Sequence, residues 1–172
     1  KKPFPELMNE LVLAPAGMTR SRFEQPLALA ARSEAAAAHS RAAETLAEHS
    51  FALPDMAAGG LWSTPTDLVR LALAVAASFN EESGSLLSSQ MAREMLTPQI
   101  ADWGLGVTLA TKAEGVVFSH TGKLPGYRAV WYASADGRSG ACVMTNGENG
   151  GLLWAEILAA IGNTYGWSFG AT

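Results

Sequence analysis

Phe118-Ser119-His120-Thr121-Gly122-Lys123-Leu124-Pro125-Gly126-Tyr127 is the stretch on which the reading of this chain turns. It places a histidine, a hydroxyl and a glycine directly after the apolar run Val116-Val117-Phe118, which reads as a strand. That is a position where a hydrolase lines a cleft with its backbone. Outward from it the pattern stays that of a sheet. Trp103 to Leu109 alternates with glycines and reads as a strand, Lys112 to Gly115 as a turn, and Val116 to His120 as a second strand. Gly126 to Ala133, rich in aromatic and β-branched residues, predicts a third strand, and Gly140 to Asn146 a fourth. Asp136-Gly137-Arg138 between them is a hairpin signal. Gly151 to about Tyr165 reads as a closing helix. Short strands joined by tight turns predict an antiparallel sheet rather than βαβ units, so the fold class is α+β with helices covering the sheet.

The first half differs. Leu7, Met8, Leu11 and Val12 lie at helical spacing between Pro3/Pro5 and Pro15. Leu27 to His49 is ambiguous. Its alanines favour helix by propensity, but it carries no stripe of large apolar residues, so helix and irregular structure both stay open. Ala57-Ala58-Gly59-Gly60-Leu61-Trp62-Ser63 packs small residues before a tryptophan. Thr64, Pro65 and Asp67 then form an N-cap, a first-turn proline and a capping-box variant, which start a helix running to about Phe79. Ser88 or Ser89 starts another, ending near Leu96 ahead of Pro98. The expected organisation is one incomplete domain over 1–172, with 1–98 mainly helix and loop and 99–172 the sheet with its last helix.

The 172 residues suit one domain, burying roughly two thirds of the unfolded surface. Charged residues are 16% of the chain, against roughly 25% in an average soluble domain. That fraction reads either as an Ala- and Gly-rich host composition or as apolar surface that belongs against a missing partner or segment. The net charge is −4 and the basic residues are scattered, which argues against a nucleic-acid groove. The single cysteine, Cys142, lies in an apolar run and reads as a small buried hydrophobe. No apolar run approaches the roughly 20 residues of a membrane span. The chain opens inside a helical pattern without an initiator methionine, so the natural start is expected further upstream.

Of the three histidines, His39 and His49 lack the spacing of a metal site, and His120 sits at a strand end beside glycine. Ser119 adjoins His120, but neighbouring strand residues point to opposite faces and make poor partners. The backbone of Thr121 to Lys123 is placed to offer an oxyanion donor, because Gly122 removes side-chain bulk. Tyr127 reads either as cross-strand packing or as the border of a cleft. Neither a metal nor an organic cofactor is implied.

These segments together resemble the C-terminal portion of the penicillin-recognising serine hydrolases: class C β-lactamases, D-alanyl-D-alanine carboxypeptidases and family VIII esterases. Phe4-Pro5-Glu6-Leu7-Met8 with Ala14-Pro15-Ala16-Gly17-Met18-Thr19 resembles the helix and turn after the family's Tyr-x-Asn motif. Ala57 to Leu68 is similar to the segment leading into a boundary helix, and His120-Thr121-Gly122 to the third active-site motif, Lys-Thr-Gly or His-x-Gly. Thr145-Asn146-Gly147 and Tyr165-Gly166-Trp167 fit the same pattern. The resemblance implies a serine acyl-enzyme acting on a β-lactam, a D-Ala-D-Ala peptide or an ester. It implies that His120 and Thr121 contact the substrate carboxylate or the proton network, that the Lys123 N–H is an oxyanion donor, and that Tyr127 and Asn146 border the substrate. It also implies a bacterial-type protein of periplasm or cytoplasm.

The family's Ser-x-x-Lys and Tyr-x-Asn motifs are not in these residues, and neither Ser78 nor Ser85 precedes a lysine at the right spacing. The chain is therefore expected to be inactive alone and to need the missing N-terminal part of the same protein. Without that part, an exposed sheet edge predicts a homo-oligomer or a swapped dimer. The alternative is a non-catalytic ligand- or protein-binding domain derived from the same fold.

Overall fold

The computed structural model describes residues 1–46, 53, 55–82, 86–113 and 115–168. Its centre is helix α4 (Pro65–Phe79), which begins as the sequence predicts: the Asp67 N–H donates to the Thr64 hydroxyl at 3.2 Å and Pro65 occupies the first turn. The preceding elements are short. They are α1 (Phe4–Met8), continued by a π-helical turn over Asn9–Leu13, then β1 (Arg22–Phe23), α2 (Leu29–Arg32), α3 (Met56–Gly59) and β2 (Leu61–Trp62). After α4 come α5 (Ser89–Met95), β3 (Thr108–Lys112), β4 (Gly115–Leu124), β5 (Tyr127–Ser134), β6 (Gly140–Thr145) and α6 (Gly150–Tyr165). The architecture is α+β, and β3 to β6 form an antiparallel meander in sequence order.

Strand alternation sorts the sheet's side chains into two cores. On one face Phe118 and Ala133 pack with Ala72 and Val75 of α4 and with Leu96. On the other, Val117, Val130 and Val143 pack under Leu158 of α6. A third cluster, Leu13, Ala16 and Met18, fills the space between the N-terminal helical turns and Leu68 and Leu71 of α4. Helix α4 thus serves two cores, which is why its apolar residues spread beyond a single stripe.

Where α4 starts, Asp67 is almost fully buried, with 1% of its surface exposed. Its carboxylate accepts from the Arg20 N–H and the Ser21 hydroxyl, both at 2.8 Å, and from the Arg70 guanidinium at 2.9 Å. At the other end the Asn80 amide donates to the Ala76 and Ala135 carbonyls, both at 2.8 Å, tying α4 to the β5–β6 hairpin. In that hairpin the Asp136 carboxylate accepts from the Ser134 hydroxyl at 2.5 Å and the Arg138 N–H at 3.0 Å, which hold its carboxyl below the usual aspartate range. Burial pushes the Cys142 thiol up to about 12, so it stays a protonated hydrophobe at neutral pH.

Three expectations are corrected. The stretch 103–109 is not a strand. The chain turns at Ile100–Trp103, Trp103 bridges back to Thr108, and regular pairing starts only at Thr108. The reason is steric: a Cβ at Gly104 would lie 2.1 Å from the Met95 carbonyl oxygen, and Gly106 adopts φ +75° to redirect the chain. The second strand does not stop at His120 but continues to Leu124, because β5 pairs with it along its whole length. In the alanine-rich region only Leu29–Arg32 is α-helical among the described residues. Beyond it the backbone bonds to neighbouring segments: Leu46 N–H donates to the Ala38 carbonyl at 2.8 Å, and Glu148 N–H to the His39 carbonyl at 3.1 Å. Tertiary contacts there override alanine's propensity. His49 and Ser85 lie outside the described residues.

Candidate active site

The site is built on the outer edge of β4. Strand β3 pairs with it only as far as Ser119, opposite Thr108. From His120 to Leu124 the strand has its ladder partner on the β5 side alone, among the described residues. The β4–β5 turn is two residues, Pro125-Gly126, so Leu124 and Tyr127 are the closing pair. In such a hairpin the closing pair exchanges both hydrogen bonds and the next pair exchanges none. The N–H groups of Leu124, Gly122 and His120 therefore face β5, while those of Lys123 and Thr121 face the open edge. The same alternation turns Ser119 outward, and its carbonyl accepts from the Thr108 hydroxyl at 3.1 Å.

Side chains alternate as well. His120 and Gly122 share the face of Phe118, and Thr121 and Lys123 lie on the face of Val117. All four are exposed. Ser119 Oγ lies 2.7 Å from Thr108 Oγ1, on the face away from His120, so this pair is no nucleophile and base. The His120 ring meets Trp103 edge to face, with centroids 5.9 Å apart. A Cβ at Gly122 would meet only the Ala129 methyl, at an ordinary 3.5 Å. What the glycine leaves clear is the approach to the backbone from the open side.

Tyr127 and Asn146 are brought together at the end of this edge, around a third segment. The Tyr127 hydroxyl donates to the Ala36 carbonyl at 2.7 Å, and burial pushes its phenol upward. The Asn146 amide donates to the Ala37 carbonyl at 2.8 Å, His39 Nδ1–H donates to the Asn146 carbonyl at 3.0 Å, and the Asn149 amide donates to the Arg41 carbonyl at 3.0 Å. Residues 36–41 thus form a strap across the β4–β5 turn and the β6–α6 junction. Gly126 permits it, since a Cβ there would come within 2.4 Å of the Ala38 methyl. The sequence shows the glycine but not the strap it accommodates. Trp62 packs edge to face on Tyr127 at 6.0 Å, which is where the small-residue loop before α4 reaches the site.

A cavity of about 190 Å³ lies elsewhere, lined by Val69, Leu73, Tyr132, Ser139, Gly140 and Trp167 beside β6. Among the described residues no group of three or more His, Cys, Asp or Glu side chains is placed to hold a metal ion, and no helix is long and apolar enough to cross a membrane.

The beta-lactamase family model matches residues 1–163. The chain belongs to the beta-lactamase family. Solved structures of similar shape include SurE, 25% identical, covering 92% of this chain and 39% of that one at TM-score 0.69. A D-stereospecific amidohydrolase from Streptomyces sp. is 20% identical, covering 84% of this chain and 44% of that one at TM-score 0.64. The penicillin-binding protein from Bacillus halodurans is 20% identical, covering 90% of this chain and 49% of that one at TM-score 0.67. No curated protein matches in sequence. This beta-lactamase family chain therefore spans less than half the length of these three solved relatives. Its fold is that of the penicillin-recognising serine hydrolases.

Proposed function

We propose that the chain is the C-terminal part of a serine acyl-transfer enzyme acting on a β-lactam, a D-Ala-D-Ala peptide or an ester, in a bacterial periplasm or cytoplasm. The observation that carries this reading is the open edge of β4, which presents the N–H groups of Thr121 and Lys123 beside His120. A serine from the preceding part of the protein attacks the substrate carbonyl, and the Lys123 N–H donates to the oxyanion. The tetrahedral intermediate collapses to an acyl-enzyme ester, and the departing amine or alkoxide takes up a proton. Water then attacks the ester and releases the acid, regenerating the serine. His120 and Thr121 contact the substrate or its proton network, and Tyr127 and Asn146 border the substrate end of the cleft through the strap they fasten. The likeness to a D-stereospecific amidohydrolase supports a D-configured residue next to the scissile bond.

The outer edge of β6, which carries no strand partner among the described residues, is the seat of the N-terminal part, so that residues 1–172 are an incomplete domain. Its residues 140–145 contain neither a charge nor a proline to discourage pairing. In the isolated chain that edge pairs with a second copy. Light scattering above micromolar concentration is expected to give a dimer, and a strictly monomeric species overturns this assembly.

Labelling the longer protein with a fluorescent penicillin or a phosphonate serine probe tests the activity. Attachment to a serine upstream of Lys1, with a lysine three residues on, is the expected result. An unlabelled protein overturns acyl transfer and leaves a non-catalytic ligand-binding domain.

A further inference from the structure

Beside His120 the turn between α5 and β3 leaves three large apolar side chains in solvent: Ile100 with 75% of its surface exposed, Trp103 with 42% and Leu105 with 43%. Exposed apolar residues scattered singly are ordinary, but Ile100 and Trp103 are bridge partners across the turn and form a ledge at the border of the site. The backbone under this ledge is tied down by hydrogen bonds. Gln99 N–H donates to the Trp103 carbonyl at 2.7 Å, Leu109 N–H to the Asp102 carbonyl at 2.7 Å, and Leu105 N–H to the Met95 carbonyl at 3.1 Å. Gly104 is pressed against the end of α5, where no side chain fits. Ala101 holds φ +49°, a left-handed conformation that L-residues other than glycine rarely adopt. Strained backbone of this kind recurs at ligand clamps, held in place by the surrounding structure.

We propose that Trp103, with Ile100 beside it, is the specificity surface of the acyl-transfer site and receives an apolar, preferentially aromatic, side chain of the substrate. The assignment rests on the acyl-transfer reading. Its argument is continuity: the Trp103 ring touches the His120 ring, so a substrate laid along the open edge of β4 has the ledge within reach of its side chains. A flat aromatic surface already held in place binds a ring without an ordering cost. Aromatic pairs in offset or edge-to-face geometry gain beyond the area they bury.

The test is the ratio of kcat/KM for the p-nitrophenyl esters of N-acetyl-D-phenylalanine and N-acetyl-D-alanine, measured in the longer protein. Trp103→Ala is expected to lower the phenylalanyl-to-alanyl ratio by about tenfold, mainly through KM, with Trp103→Phe restoring most of it. Ile100→Ala, at a largely exposed position, is expected to lower it by about threefold and guards against a Trp103 variant that does not fold. Loss of both activities in proportion, with an unchanged ratio, means that Trp103 only supports His120 and overturns the assignment while leaving acyl transfer standing. A wild-type protein that turns over neither ester overturns the acyl-transfer reading and this assignment with it.

Discussion

His120→Ala in the longer protein is expected to lower kcat/KM for an ester or amide substrate by about 100-fold or more, the low end for removing a group in a proton network. The ring stands on the open part of β4, exposed, with Trp103 against it. Its loss leaves the strand pairing with β5 untouched, so the melting temperature should move little while activity falls. Substitution by glutamine, which keeps a hydrogen-bonding group but not a titratable one, should restore binding more than turnover. A change in kcat/KM below about threefold in His120→Ala places the residue outside the chemistry. Steady-state kinetics beside a thermal melt separates the two outcomes.

Asp67→Ala is expected to destabilise the fold by about 3 kcal/mol. The carboxylate is buried and takes the Arg20 N–H, the Ser21 hydroxyl and the Arg70 guanidinium. Removing it leaves the Arg20 N–H without its acceptor, while the Ser21 hydroxyl keeps the Ser63 hydroxyl at 2.8 Å as a partner. Arg70 is itself about half exposed and finds water instead, so its share is discounted. Asp67→Asn is no remedy: both carboxylate oxygens face donors, and whichever way the amide turns its N–H₂ meets one of them. A drop in melting temperature of roughly 6–12 °C for alanine follows from the usual scaling for this size. A shift under 2 °C overturns the role given to this network.

The sheet was legible because its signals are local. Period-two alternation and Asp136-Gly137 are each read within a few residues, and the turn that Asp136-Gly137 predicts is present, whereas Gly126, read as the start of a strand, lies in the β4–β5 turn. The start of α4 was legible for the same reason, since Thr64, Pro65 and Asp67 are adjacent in sequence. What escaped depends on distant segments. The sequence presents Asp67 as a capping residue, and the Arg20–Ser21 turn it anchors lies 46 residues away. Alanine propensity around residues 36–46 competes with side chains of Tyr127, Asn146 and Asn149, some 90–110 residues further on. In the site, His120 to Lys123 was visible as a strand end beside glycine. Trp103 was hidden inside a pattern that reads as strand, although two glycines within four residues of it were the available signal of a turn.

The order of the strands has a kinetic consequence. Strands β3 to β6 follow one another through short turns, so the sheet in this chain forms from contacts close in sequence. Such pairings close small loops and form early, whereas joining segments far apart in the chain is slow. The edge carrying His120 is therefore ready as soon as the β4–β5 hairpin zips from Leu124 and Tyr127. On the acyl-transfer proposal the slow step is the arrival of the segment that would bring the nucleophile, and substitutions in the meander are expected to leave the refolding rate of the longer protein unchanged.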